Sequence, residues 1–142
     1  MPGLQPKKTI VPIDFSNLSI EALDRALDIS DPNGEVHVIN VLAALSAMEP
    51  GLIYGTESDD ERIEGALQHL DETLSDSRYA KIVKKVVVGD PGHEISDYAQ
   101  ESGADLIVIS SHGYGIIKHM LLGSVAERVV RLAHCPVLVL RR

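Results

Sequence analysis

The sequence has few aromatic residues and a deficit of basic ones. It contains no Trp, one Phe and four Tyr, and its 13 Lys and Arg stand against 21 Asp and Glu, for a formal net charge of -8. Proteins that bind the phosphate backbone of a nucleic acid need a positively charged surface. Proteins that bind single-stranded nucleic acid stack its bases on aromatic rings. The composition therefore argues against nucleic acid as the main partner.

Cysteine and long apolar runs are scarce as well. Cys135 is the one cysteine, so the chain cannot form an internal disulfide. No apolar run approaches the roughly 20 residues of a membrane-spanning helix, and residues 1–6 lack the charged and apolar regions of a signal peptide. A chain of 142 residues can bury a core of its own. We therefore expect one cytoplasmic domain over residues 1–142, with no membrane partner.

Short apolar runs alternate with segments of helical period, the pattern of an α/β domain with a mainly parallel sheet. Lys84 and Lys85 put a charge on each face of the third run, which suits a sheet edge, whereas the fourth run is apolar on both faces, as in a covered central strand. The runs predict five strands, over residues 8–11, 36–41, 82–88, 106–109 and 137–140.

Four helices are predicted between these strands. Ser16 or Asn17 can cap the first, and Asp90 followed by Pro91 suits the start of the third. The second carries an apolar stripe from Ile63 onward, and the fourth follows residues 123–124. Residues 42–60 fit neither period and predict a long loop, which is usually functional or disordered.

Two strand ends carry residues suited to an anionic ligand. Asp14 follows the first strand, residues 110–113 (SSHG) follow the fourth, and nine residues separate Gly113 from Gly123 and Ser124 at the next helix start. Ligands of parallel α/β sheets bind beyond the carboxyl ends of the strands, where strand order reverses. Glycine lets a backbone approach phosphate, and a helix start favours an anion. The pattern predicts a polyphosphate site, with Asp14 placed for ribose hydroxyls or a divalent metal.

Several short blocks occur in an order typical of one protein family. They are residues 10–16 (IVPIDFS), 37–39 (HVI), 88–91 (VGDP), 111–113 (SHG), 121–129 (LLGSVAERV) and 134–139 (HCPVLV). Over nearly the whole chain the sequence resembles the universal stress protein family. The resemblance implies a Rossmann-like, adenine nucleotide alpha hydrolase-like sheet of five parallel strands in the order 3-2-1-4-5, with helices on both faces. It also implies a homodimer through residues 137–140 and, in one branch, ATP held by a G-x2-G-x9-G-[ST] motif.

The same resemblance implies a set of nucleotide-binding residues. Pro12 and Asp14 would flank the adenosine, with Asp14 on the ribose, and the backbone of Val38 would read the adenine edge. Gly89 would pass close to the nucleoside, and the glycine loops would hold the phosphates of ATP, AMP or ADP, with Mg²⁺ or Mn²⁺ accompanying them. The full candidate set is Pro12, Asp14, Val38, Gly89, Ser110, His112, Gly113, Gly123, Ser124 and Val125.

One position departs from the family motif. Ser110 stands where the motif has its first glycine, although the spacing from Ser110 through Gly113 to Gly123 is intact. A serine adds a Cβ where the backbone approaches the ligand, but its hydroxyl can also bind phosphate. We therefore expect ATP binding, with Ser110 as the one position that departs from the motif.

Three functions remain open. The first is a regulatory ATP-binding protein with slow or no turnover, since the sequence offers a cradle without an identifiable base or arginine finger. The second is a nucleotide-independent interaction protein that acts through a dimer surface and residues 42–60. The third is slow autophosphorylation, with Ser110, Ser111 or Ser124 as acceptor.

Charge is unevenly distributed along the chain. Residues 1–112 hold 8 basic and 20 acidic side chains, whereas residues 113–142 hold 5 basic and 1 acidic. Local positive potential concentrates small anions. The basic excess thus coincides with the segment assigned to phosphate.

Overall fold

The computed structural model describes residues 5–44, 58–113 and 122–141. Strands and helices alternate along these segments, as the apolar pattern predicts. In chain order they are β1 (Lys8–Pro12), α1 (Asn17–Ile29), β2 (Glu35–Leu42), α2 (Asp59–Thr73), a 3-10 turn (Ser77–Tyr79), β3 (Val83–Val88), α3 (Pro91–Ser102), β4 (Leu106–Ser110), α4 (Ser124–Leu132) and β5 (Val137–Leu140).

The five strands form one parallel sheet in the order β3-β2-β1-β4-β5. Register pairs Pro12 with Ile39, Leu42 with Val88, and Ser110 with Leu140. The predicted fold class and strand order are confirmed. β3 lies at an edge, as its two lysines indicate, and Lys84 Nζ binds Asp71 Oδ1 at 2.8 Å.

Helices cover both faces of the sheet, so it has two cores. Alternate residues of a strand point to opposite faces, and β1 shows this directly, because Val11 packs beneath α1 and α2 while Ile10 packs beneath α3 and α4. Both side chains are fully buried. Burying an aliphatic side chain of this size stabilises the fold by about 1.5–3 kcal/mol, so the strands in the middle of the sheet are firmly fixed.

Three helices begin at capped positions. Ser16 accepts a hydrogen bond from the Ser19 N–H and caps α1, and Ser58 and Asp90 do the same for α2 and α3. The predicted caps Ser16 and Asp90 are confirmed, with Pro91 in the first turn of α3. Most of the predicted loop over residues 42–60 lies outside the described residues, and its last two positions already belong to α2.

No helix in the described segments is long and apolar enough to cross a bilayer.

Candidate functional site

The carboxyl edge of the sheet contains a point where the chain changes direction. β1 and β4 are neighbours, but the chain leaves β1 for β2 on one side and leaves β4 for β5 on the other. At such a point two loops diverge and leave a crevice. The loop after β1 carries Asp14 and the loop after β4 carries Gly113, so both predicted elements lie beside the crevice.

Asp14 is exposed and held in place by its own turn. Its Oδ1 accepts hydrogen bonds from the Ser16 N–H at 2.9 Å and from the Ser16 hydroxyl at 2.5 Å. The backbone N–H of Asp14 donates to Ser19 Oγ at 3.3 Å. One carboxylate oxygen is therefore committed to the turn, and Oδ2 is directed elsewhere.

Asp14 Oδ2 faces Gly113. A Cβ added to Gly113 would overlap this oxygen, so no residue with a side chain fits there. Glycine at position 113 thus lets the carboxylate lie against the backbone of the loop after β4. The structure brings together two candidate residues that are 99 positions apart in the sequence.

The loop after β4 is tied to the sheet and to itself. The Ser111 N–H donates to the Leu140 carbonyl at 2.8 Å, and the Ser110 hydroxyl donates to the His112 carbonyl at 2.9 Å. Ser111 Oγ and His112 Nδ1 lie 3.1 Å apart. The Ser110 side chain, which replaces the first motif glycine, is thus accommodated by its own loop.

The start of α4 packs closely on this loop. The Gly123 N–H donates to the Ser111 carbonyl at 2.6 Å, and a Cβ at Gly123 would meet that carbonyl oxygen at 3.1 Å. Gly123 is the N-cap of α4 and offers no side chain to the first turn, in contrast to the caps of α1, α2 and α3. The first N–H groups of a helix have no partner within the helix, so those of Ser124 and Val125 are suited to an anion.

We call residues 110–113 and 123–125 the anion cradle. Residues 114–121, which connect its two halves and include Lys118, lie outside the described residues. Within the cradle, Ser111 is buried, Ser124 is exposed, and the other residues are half-buried. The cradle therefore combines accessible backbone with a loop fixed to the sheet.

Gly89 lies further along the same edge. Its φ of +156° is unfavourable for residues with a side chain, and an added Cβ would lie 2.6 Å from Glu94 Oε1. Its N–H donates to the Leu42 carbonyl at 2.9 Å. Because neighbouring strands are about 4.8 Å apart, Gly89 on the β3 side lies about 10 Å from β1, a distance that a nucleoside can span.

Sequence reasoning missed a link between Gly89's loop and α4. Asp90 Oδ1 binds Arg128 Nη1 at 2.6 Å, while Oδ2 accepts the His93 N–H at 3.1 Å. The His93 N–H and the Arg128 guanidinium hold the pKa of the Asp90 carboxyl below its usual value of 3.8. A lowered folded-state pKa stabilises the fold at neutral pH, and this contribution is lost as the pH falls below that value. The pair joins α3 to α4 beside the anion cradle.

Two candidate residues, Pro12 and Val38, lie on β1 and β2. Pro12 is half-buried at the end of β1, next to the site. Val38 is fully buried in the middle of β2, in register with Val11 and Lys84, and the strand continues to Leu42. The structure therefore does not bring Val38 to the carboxyl edge, where the end of β2 is formed by Val41 and Leu42, both half-buried.

In the described segments, no three His, Cys, Asp or Glu side chains lie close enough together to hold a metal ion. Cys135 is half-buried, and burial raises the pKa of its thiol.

The fold is a Rossmann-like α/β domain with a glycine loop and a helix start at its switch point. The Universal stress protein family model matches residues 6–141, and the chain belongs to this family. It is 31% identical over 145 residues to universal stress protein YxiE of Bacillus subtilis strain 168, covering 94% of this chain and 98% of the relative.

Solved structures show the same fold. The chain superposes on MJ0577 of Methanocaldococcus jannaschii with a TM-score of 0.73 and 28% identity, over 96% of each chain. A universal stress protein from Archaeoglobus fulgidus, solved in complex with dAMP, gives a TM-score of 0.66 at 25% identity, over 93% of this chain and 95% of that one. One relative of this fold thus binds an adenine nucleotide.

Proposed function

We propose that this protein binds an adenine nucleotide, ATP foremost and AMP or ADP as alternatives, at the carboxyl edge of its sheet, and acts as a cytoplasmic regulatory protein of the stress response. The observation that carries the proposal is the contact between Asp14 and Gly113. It joins an outward carboxylate to a glycine loop at the switch point, where ligands of this fold class bind. The dAMP complex of the Archaeoglobus fulgidus relative supports the same ligand class.

Each part of the nucleotide has a matching group at this edge. Asp14 Oδ2 can accept hydrogen bonds from ribose hydroxyls, because only Oδ1 is used by the turn. The cradle offers the N–H groups of Ser124 and Val125 to the phosphates, which Mg²⁺ or Mn²⁺ would accompany. Pro12 and Gly89 would border the nucleoside, and His112 would line the phosphate pocket.

The arrangement favours holding ATP over hydrolysing it. Rapid phosphoryl transfer needs a cation free to stabilise the transferring group. Both arginines of α4 are already paired, Arg128 with Asp90 and Arg131 with Glu127. Slow or no turnover is therefore part of the proposal.

The two alternatives are less well supported by the geometry. A nucleotide-independent role would follow if the Cβ of Ser110 kept the ligand away from the backbone, but the Ser110 side chain is held by its own loop, where its hydroxyl donates to the His112 carbonyl. For autophosphorylation, Ser111 is only 3% exposed, whereas Ser124 is exposed at the helix start. Radiolabelled γ-phosphate that reaches Ser124 would favour this third function.

The test of the proposed function is a calorimetric titration of the purified chain with ATP in the presence of Mg²⁺. We expect one nucleotide bound per chain, with little phosphate released over the same period. GTP is the control for the base, and inorganic triphosphate is the control for the cradle alone. If no heat of binding is measured at millimolar ATP or AMP, the proposal is wrong and the nucleotide-independent role is favoured.

The homodimer is also a proposal, and β5 is the surface that carries it. Within the described segments β5 pairs only with β4, and Leu138 on it is 38% exposed. An apolar strand at a sheet edge invites pairing with another chain. We expect Leu138→Lys to convert a dimer of about twice the 15.4 kDa chain mass into a monomer in analytical ultracentrifugation.

The matched control lies at the opposite edge of the sheet. Val83 on β3 has almost the same exposure, 39%, so Val83→Lys adds the same charge to an apolar edge position. This variant should sediment as the parent does. A parent chain that is monomeric at micromolar concentration would contradict the dimer.

A further inference from the structure

The turn that carries Asp14, residues 13–16, has a strained backbone. Phe15 has a φ of +67°, and it is the only residue other than glycine with a positive φ in the described segments. Bulky residues rarely adopt this left-handed conformation. Such strain persists only where the surroundings impose it, and it concentrates at ligand-binding sites. We call residues 13–16 the Asp14 turn.

A stacked ring pair supports the turn from one side. Phe15 and His69 lie with ring centroids 3.8 Å apart and planes 9° from parallel. Phe15 is half-buried against the core beneath α2, and His69 is an exposed residue of that helix. The stack therefore ties the residue after Asp14 to a helix more than 50 positions away.

A buried amide also supports the turn, at the residue before Asp14. Asn40 is only 6% exposed, and its Nδ2 donates to the Ile13 carbonyl at 2.8 Å. Its Oδ1 is buried without a hydrogen-bond partner in the described part of the chain. An unpaired buried acceptor is unfavourable, so packing alone would favour an apolar residue here. What the amide contributes is the bond to Ile13, the residue before Asp14.

We propose that Asn40 and the Phe15–His69 stack are positioning residues that hold the Asp14 turn ready for the ribose of a nucleotide. They fix the residues on either side of Asp14, so that Oδ2 stays directed at the crevice beside Gly113. A group already held in its binding position loses less freedom when the ligand arrives. The inference rests on the proposed function and adds a specific consequence, since the supports act on recognition of the ribose hydroxyls and not on the phosphates.

The test compares ATP with 2′,3′-dideoxy-ATP, which lacks both ribose hydroxyls. In the parent chain, hydrogen bonds to a carboxylate should make ATP bind about tenfold or more tightly than the dideoxy analogue. We expect His69→Ala and Asn40→Leu to reduce that ratio by about threefold or more, the effect of a loosened side chain. Affinity for the dideoxy analogue should stay at the parent value. Gln68→Ala, at an exposed neighbour on α2, is the control and should keep the parent ratio.

The outcomes separate this inference from the proposed function. A parent chain that binds no ATP, or binds both nucleotides equally, would overturn the role of Asp14 and this inference with it. A parent that prefers ATP while both variants keep its ratio would overturn the inference alone, as would an equal loss of affinity for the two nucleotides. His69 is exposed, so His69→Ala decides the question even if Asn40→Leu does not fold.

Discussion

Replacing Gly123 by Val is expected to weaken ATP binding by about 100-fold, the loss of two or so hydrogen bonds to charged phosphate. The added side chain would stand at the N-cap of α4, where even its Cβ meets the Ser111 carbonyl oxygen at 3.1 Å. Its two methyl groups would add further bulk between the helix start and the loop after β4. The phosphates would then be kept from the N–H groups of Ser124 and Val125.

The chain should remain folded in this variant. The backbone of Gly123 is extended, with φ -68° and ψ 163°, a conformation that Val adopts readily. Loss of the glycine cap costs about 1 kcal/mol of stability, which a calorimetric unfolding scan can measure. Gly65→Val is the matched control, because a Cβ at Gly65 meets nothing within 4 Å. Parent-like ATP affinity in Gly123→Val would show that the phosphates bind elsewhere.

Asp14→Ala is expected to remove the preference for ribose hydroxyls. Each hydrogen bond to a charged group contributes about 1.5–3 kcal/mol, so ATP affinity should fall by about tenfold to 100-fold. Binding of 2′,3′-dideoxy-ATP should change little, because that analogue makes no such bond. Competition binding with the two nucleotides measures both effects.

A second substitution separates binding from folding at this position. Asp14 Oδ1 also accepts two bonds from Ser16, so Asp14→Ala disturbs the turn as well as the site. Asp14→Asn keeps an acceptor for Ser16 but has no charge. If Asn and Ala weaken ATP binding alike while only Ala destabilises the fold, the carboxylate acts on the ligand; unchanged affinity in both would remove Asp14 from the site.

Most of the fold could be predicted because its signals are local. The apolar runs identify all five strands, and β1 and β4 each extend one residue beyond the predicted end. Ser16 and Asp90 cap helices as their residue types indicate. The two lysines of β3 indicated that it is an edge strand, whereas β5 at the opposite edge is apolar, so charge identifies only one of the two edges.

The contact between Asp14 and Gly113 could also be predicted, because parallel strands that are neighbours end at the same edge. Val38 was assigned by similarity alone. The strand predicted over residues 36–41 already ends three residues past Val38, and β2 ends four residues past it. The adenine edge, if read by the backbone of β2, would be read from its end at Val41 and Leu42.

The supports of the site could not be predicted, since each depends on tertiary contacts. Nothing local marks Phe15 as left-handed or places His69 over its ring. In the sequence, Asn40 is simply a polar residue in a largely apolar strand. Its role follows only from its hydrogen bond to the Ile13 carbonyl. The pairing of Asp90 with Arg128 joins residues 38 positions apart. These contacts arise only when helices from both faces meet the same edge.

Thermal unfolding of the parent chain with and without ATP and Mg²⁺ tests nucleotide binding most directly. At an ATP concentration 100 times the dissociation constant, binding to the folded state adds about 2.7 kcal/mol to the free energy of unfolding. For a chain of this length, that corresponds to a rise in Tm of about 6–10 °C. Such a rise, reduced to about 1–2 °C in Gly123→Val, is the predicted result. An unchanged Tm at millimolar ATP, and likewise at millimolar AMP, would contradict it.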